Sequence, residues 1–306
     1  MSTIAEQYGR FDVPGRVTVE AGLGGMACVT VRNPLAEADI YLQGATVTHF
    51  RPKGQRPLLW LSSTSHFADH TPIRGGIPIC WPWFGEHLTD KDKPQHGFAR
   101  RMVWDLLDVA QIPDDRTRVV LRLVSSPESW ALFAHDFVLT YTVVVGTSLD
   151  AELSVQNSGP DAFVCTEALH TYYRVHDSEQ VLLTGLQHAS YVDKVKEMRH
   201  SVQLDRELRF KEYQNRIYVN APSMAVLEDP AWGRRVTVNN AGCKDMVVWN
   251  PQATRAASMA DIGEGEWRGF VCVEAANTGE NPVNVAPLTT HTIRTNASCA
   301  GLEGNG

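Results

Sequence analysis

The sequence has six cysteines (Cys28, Cys80, Cys165, Cys243, Cys272 and Cys299) and no C-x-x-C pair among them. Most sit in apolar runs, so they read as reduced, small core hydrophobes of a cytoplasmic protein rather than a disulfide framework. No stretch approaches the ~18–20 apolar residues that cross a bilayer, and the N-terminus lacks the charged and apolar regions of a secretory signal. Basic charge is also short. Twenty-eight Lys and Arg face 35 Asp and Glu, for a net charge of −7. That argues against nucleic-acid partners, which select basic surfaces, but leaves room for an anionic metabolite held by a few arginines. There is no H-E-x-x-H, no G-x-S-x-G and no P-loop. Gly22-Leu-Gly-Gly25 lacks the strand–turn–helix context of a dinucleotide site and reads as a turn. Long apolar patterns of period 3.6 are missing, as are repeats, low-complexity tracts and linkers.

What remains is rich in strand signals. Short β-branched or aromatic runs at 17–20, 27–31, 39–41, 119–124, 137–145, 151–156, 164–169, 224–228, 236–238, 246–249 and 270–275 are punctuated by Gly, Pro, Asn and Asp. They predict an all-β sandwich or barrel with few short helices, the latter near 127–133 and 252–259. A hydrophobic content of 43% suffices for a sizeable core. The expectation is a single domain over 1–306, its core spanning about 10–295, with a frayed tail at 297–306, and a monomer.

The stretch from Arg74 to Trp104 concentrates chemistry. Arg74-Gly-Gly-Ile-Pro-Ile-Cys-Trp-Pro-Trp-Phe-Gly85 is followed by Gln95-His-Gly-Phe-Ala-Arg-Arg101. Arginine offers a planar fork to phosphate or carboxylate. Tryptophan offers a flat apolar face to a sugar ring or to a core. The segment reads as a pocket wall for a small anionic ring, or as a Gly/Pro-rich loop packing its own aromatics.

Two strands carry a polar residue out of place. Alternation over Phe270-Val-Cys-Val-Glu-Ala-Ala276 puts Phe270, Cys272, Glu274 and Ala276 on one face. Glu274 is then a lone carboxylate in an apolar strand, either a base sharpened by burial or the partner of an arginine. Alternation over 166–173 groups Ala168, His170 and Tyr172; His170 is a proton-transfer candidate or a hydrogen-bonded structural residue. His66 and His70 have an i, i+4 spacing, but their segment is short and loop-like, which makes metal binding the minority reading. Asp193-Lys-Val-Lys196 reads on pattern alone as a solvated turn.

These blocks, with Thr166-Glu-Ala-Leu-His170, Tyr191-Val-Asp-Lys194, Val247-Val-Trp-Asn-Pro251 and Ser258-Met-Ala-Asp261, occur together and in order over about 10–295. In this they resemble the hexose-6-phosphate mutarotases (glucose-6-phosphate 1-epimerases) of the aldose 1-epimerase group. The resemblance implies a galactose-mutarotase-like β-sandwich (supersandwich) and an isomerase that exchanges the anomers of a hexose 6-phosphate, with no cofactor and no metal. It carries the catalytic pair onto His170 and Glu274. It carries substrate contacts onto Arg74, His96, Arg100 and Asp193, with Trp83 beneath the ring. Arg74 and Arg100 are the expected phosphate clamp; Lys93, Arg101 and Arg235 are alternatives. In an extended 96–100 segment, His96 and Arg100 would share a face. Region 197–222 matches least. The competing functions are a mutarotase of unphosphorylated aldoses, a non-catalytic sugar-phosphate sensor and a carbohydrate-binding module.

Overall fold

The computed structural model describes residues 3–302. Antiparallel strands dominate it. A nine-stranded sheet runs in the order Leu208–Arg209, Leu182–Thr184, Met224–Asp229, Arg234–Ala241, Thr290–Gly301, Ser148–Asn157, Phe137–Val145, Thr117–Val124 and Asp105–Gln111. An eight-stranded sheet holds Arg199–Val202, Ser190–Asp193, Gln214–Val219, Asp245–Asn250, Phe270–Asn277, Glu167–Leu169 and Ile79–Cys80 in that order, with Tyr172–Arg174 also paired to Phe270–Asn277. Val17–Pro52 forms a four-stranded meander, and Phe163–Cys165 pairs with Val283–Val285. No helix is long and apolar enough to cross a membrane among the described residues.

Side-chain alternation explains how the layers meet. Phe137–Val145 alternates buried and half-buried residues along its whole length, as a strand with one face on a core must. Phe270–Asn277 is buried at every position, so both of its faces are covered. Val271, Val273 and Ala275 join the large apolar cluster shared with the nine-stranded sheet, including Leu139, Tyr141, Leu153 and Ile293. Phe270 and Cys272 instead pack with Trp60, Tyr172 and Trp267, and Ala276 packs with Ala168, Cys80 and Val247. Glu274 lies on this second face, as period-2 alternation predicts.

The predicted strands and both predicted helices are present, the latter as Pro127–Leu132 and Gln252–Ala256. Ser126 starts the first of these by accepting from the Ser129 amide, with Pro127 in the first turn. The frayed tail is corrected. Ala297 to Gly301 continues the strand Thr290–Gly301 and pairs with Arg234–Val238; 303–306 lie outside the described residues. Ala297, Ala300 and Gly301 carry little intrinsic strand signal. Neighbours on both sides as far as Ser298, and Arg234–Val236 alone beyond it, impose the extended form.

Candidate active site

His170 and Glu274 come from neighbouring strands of the eight-stranded sheet. Leu169 is paired with Ala275 and Tyr172 with Cys272, so the same register sets His170 opposite Glu274. The ladder opens between them: the His170 amide donates to the Pro78 carbonyl and the Thr171 amide donates back to Leu169. His170 Nδ1 lies 3.3 Å from Glu274 Oε1. That atom and both Glu274 carboxylate oxygens are buried and have no hydrogen-bond partner, so the two groups face one another without an aligned bond. Unsatisfied buried polar atoms are costly, and three of them belong to this pair. Desolvation lifts the Glu274 carboxyl well above its ordinary range, against the smaller pull of Lys194 and Arg100. Desolvation, with Arg100 and Arg74, pushes His170 well below its own. Both groups are therefore driven towards neutrality.

A pocket opens over this pair, lined by Arg74, Phe84, Gln95, His96, Arg100, Lys194, Tyr213, Asn215, Val247, Trp249, Arg255 and Met259 as well. The expected extended segment at 96–100 is not there. His96 and Gly97 take positive φ (63° and 72°) and a 3-10 turn follows over Ala99–Arg101. Gly97 packs against Trp81, where a Cβ would come within 2.0 Å of the carbonyl oxygen. The tight turn, rather than a shared strand face, delivers both His96 and Arg100 to the pocket. His96 Nδ1 accepts from the Gly85 amide at 3.1 Å. Burial, then Arg100, keeps its pKa well below the usual value. The ring is therefore neutral with its proton on Nε2, a donor.

The two predicted arginines are held differently. Arg74 donates from Nε to Asp261 at 2.9 Å and from Nη1 to the Tyr172 hydroxyl at 2.8 Å. Burial opposes its charge, but Tyr172 and Asp261 outweigh that and raise its pKa. Arg100 donates from Nη2 to the Gln95 carbonyl. Its Nε is buried without a partner, and no carboxylate is ion-paired to it among the described residues. Desolvation, with repulsion from Arg74, lowers its pKa from the ordinary value.

Five residues named from the sequence, Trp83 and Asp193 as contacts and Lys93, Arg101 and Arg235 as alternatives, are not among those that line the pocket. Trp83 packs in the apolar core, its Nε1 donating to the Pro94 carbonyl; Phe84 and Trp249 are the pocket's aromatics instead. Asp193 does not line the pocket. Its Oδ1 accepts from the Val195 and Lys196 amides and shapes the turn that carries Lys194 there. Among the alternatives for the clamp, Lys93 Nζ is spent on the Leu132 carbonyl and Arg101 Nε on the His70 carbonyl. Arg235 lies in the nine-stranded sheet, opposite Glu228. Lys194 and Arg255 are the basic residues that the sequence reading left out. Lys194 follows Asp193 in a quoted block, and Arg255 lies in the predicted helix; nothing local showed which way either would point.

A neutral donor, an acid–base pair, aromatic walls and several cations suit proton transfer on a small polyhydroxylated anion. Comparison with known proteins agrees with this chemistry. The family described as Aldose 1-epimerase matches residues 27–298. A protein of Escherichia coli named "Putative glucose-6-phosphate 1-epimerase" is 34% identical over 252 residues, 82% of this chain and 83% of its own length. One of the same name from Cenchrus ciliaris is 33% identical over 279 residues, 89% of this chain and 83% of its own. A crystal structure described as that of "a putative mutarotase (YeaD) from Salmonella typhimurium" superposes with a TM-score of 0.86 at 29% identity, covering 93% of this chain and 97% of that one. A mutarotase-type β-sandwich is thus the fold, and the chain belongs to the aldose 1-epimerase family of isomerases.

Proposed function

We propose that this chain interconverts the α and β anomers of an aldohexose 6-phosphate, with glucose 6-phosphate as the substrate. The observation that carries the phosphate is Arg100. Its guanidinium borders the pocket with no acidic partner among the described residues, whereas Arg74 already has Asp261. A neutral sugar would leave that cation uncompensated. A phosphate would accept from it, with Arg74, Lys194 and Arg255 at hand. The names of the Escherichia coli and Cenchrus relatives support the same substrate.

In the mechanism, the pair works with one proton. Passage of that proton from Glu274 to His170 across their 3.3 Å gap gives carboxylate and imidazolium. Glu274 then removes the proton from the C1 hydroxyl while His170 protonates the ring oxygen O5. The C1–O5 bond breaks, the C1 carbonyl forms, and the aldehyde turns about C1–C2. O5 returns its proton to His170 as it attacks the other face of C1, and Glu274 reprotonates the new hydroxyl. Each acid or base contributes ~10²–10⁴-fold. His96 Nε2 donates to a ring or hydroxyl oxygen and steadies the sugar.

The test is exchange between the α and β anomeric protons of glucose 6-phosphate, followed by NMR with and without the protein, beside free glucose. Acceleration confined to the phosphate ester is expected. Equal acceleration of both sugars would make the chain a general aldose mutarotase. Binding without acceleration would make it a sensor.

A further inference from the structure

Beneath the acid–base pair lies a third donor that the reaction does not use. Cys272 sits two residues before Glu274 on the same face of one strand and is fully buried. A nitrogen of His170, Cys272 Sγ and a carboxylate oxygen of Glu274 all lie within 4.8 Å of one another. Among the described residues no other such trio of His, Cys, Asp or Glu occurs. The donor set is one imidazole, one thiol and one carboxylate, the three ligand types that zinc takes together. His170 Nδ1 and both Glu274 oxygens are buried without hydrogen-bond partners.

We propose that this trio binds Zn2+, and that the bound ion inhibits the enzyme by occupying its acid and base. The inhibitory consequence rests on the roles given to His170 and Glu274 above; the site itself does not. The 3.3 Å between His170 Nδ1 and Glu274 Oε1 already matches the edge of a zinc tetrahedron, where bonds of ~2.0–2.3 Å place ligand atoms roughly 3.3–3.8 Å apart. Cys272 Sγ, within 4.8 Å of the other two donors, has to close in by up to about 1 Å on the same geometry. Three protein ligands leave the fourth position towards the pocket, for water or a sugar hydroxyl. On binding, the thiol proton and the proton shared by the pair leave for solvent. Thiolate and carboxylate then neutralise the dication. Arg74 is already compensated by Asp261, which leaves Arg100 and Lys194 as the main opposing charges and sets a site of modest affinity. Turnover and bound zinc therefore exclude one another: proton transfer needs the pair free, and the ion ties it up.

The probes are Zn2+ for activity and Co2+ for spectroscopy, each added to chelator-washed protein. Zn2+ is expected to inhibit anomerisation of glucose 6-phosphate. Cys272→Ala, with Cys272→Ser as the size-matched second variant, is expected to keep the uninhibited rate and to raise the half-inhibitory Zn2+ concentration by ~10-fold or more, since ligand-shell losses cost at least that. Co2+ is expected to give a thiolate-to-metal charge-transfer band in the wild type that both variants lack. Equal zinc sensitivity of wild type and Cys272 variants would overturn the proposal, as would the absence of the cobalt band from the wild type. If the protein left glucose 6-phosphate anomers untouched, the assigned reaction would fall, and the cobalt band would still decide the site.

Discussion

The phenol ring of Tyr172 lies flat against the imidazole of His170, centroids 4.8 Å apart and planes 9° from parallel, while its hydroxyl accepts a hydrogen bond from Arg74. One side chain thus touches both Arg74 and His170. Tyr172→Phe keeps the stack and removes only the bond to Arg74. It is expected to raise KM for glucose 6-phosphate by up to ~10-fold, the worth of one hydrogen bond, with little change in kcat. Steady-state kinetics check this; a fall in kcat at unchanged KM would place Tyr172 in the proton transfer instead.

Glu274→Gln preserves shape and removes the base. Anomerisation should fall by ~10²–10⁴-fold. Calorimetric binding of glucose 6-phosphate should stay close to wild type, because the cations of the pocket are untouched. Loss of binding together with rate would deny Glu274 its catalytic role.

Arg100→Gln removes the cation that lacks an acidic partner. A hydrogen bond to a charged group contributes ~1.5–3 kcal/mol, so affinity for glucose 6-phosphate should drop by about 10–100-fold, and affinity for free glucose should not move. Arg74→Ala should act in the same direction but less strongly, since Asp261 already engages that guanidinium. Titration of both sugars against both variants decides it.

The same burial that shapes the pair makes it costly to hold. The folded-state pKa of Glu274 is raised above its ordinary 4.5, so its contribution to stability is complete below about pH 4.5 and is lost as pH rises through the raised value. His170 runs the other way. Its folded-state pKa lies below the ordinary 6.5, so its contribution is complete above about pH 6.5 and is lost as pH falls through the depressed value. Glu274→Gln should therefore match wild type in stability near pH 4 and exceed it at pH 7 to 8. Urea denaturation midpoints across that range test it. A constant offset at every pH would mean that Glu274 is not held neutral.

Gly97→Ala should be severe for a steric reason. Its φ is 72° and an added Cβ would meet the Trp81 carbonyl at 2.0 Å. A loss of about 3 kcal/mol or more is expected from strain of this kind. Any folded fraction should bind glucose 6-phosphate poorly, since the same turn delivers His96 and Arg100. Thermal unfolding, paired with binding at low temperature, separates the two effects.

Much of this protein was legible before any coordinates. Period-2 alternation alone placed Glu274 on a separate face from Val271, Val273 and Ala275, and grouped His170 with Tyr172. Those faces hold because strand geometry is local and repeats every two residues. The blocks around Arg74, His96, His170 and Glu274 carried the family and, with it, the fold. Local pattern did not reach the turn at His96 and Gly97, the paired strand through Gly301, or the burial of Trp83. Each depends on what packs against it: the Trp81 backbone, two flanking strands, and the Pro94 carbonyl. Pattern read a turn at Asp193 to Lys196, but it could not show that Lys194 lines the pocket, or that Arg74 is compensated and Arg100 is not. Sequence determined the residue types and the face each strand residue takes, because both are properties of a short stretch of chain. Tertiary structure alone decided which side chains meet at 3.3 Å and which charges are left unpaired, because distance and desolvation are set by elements far apart along it.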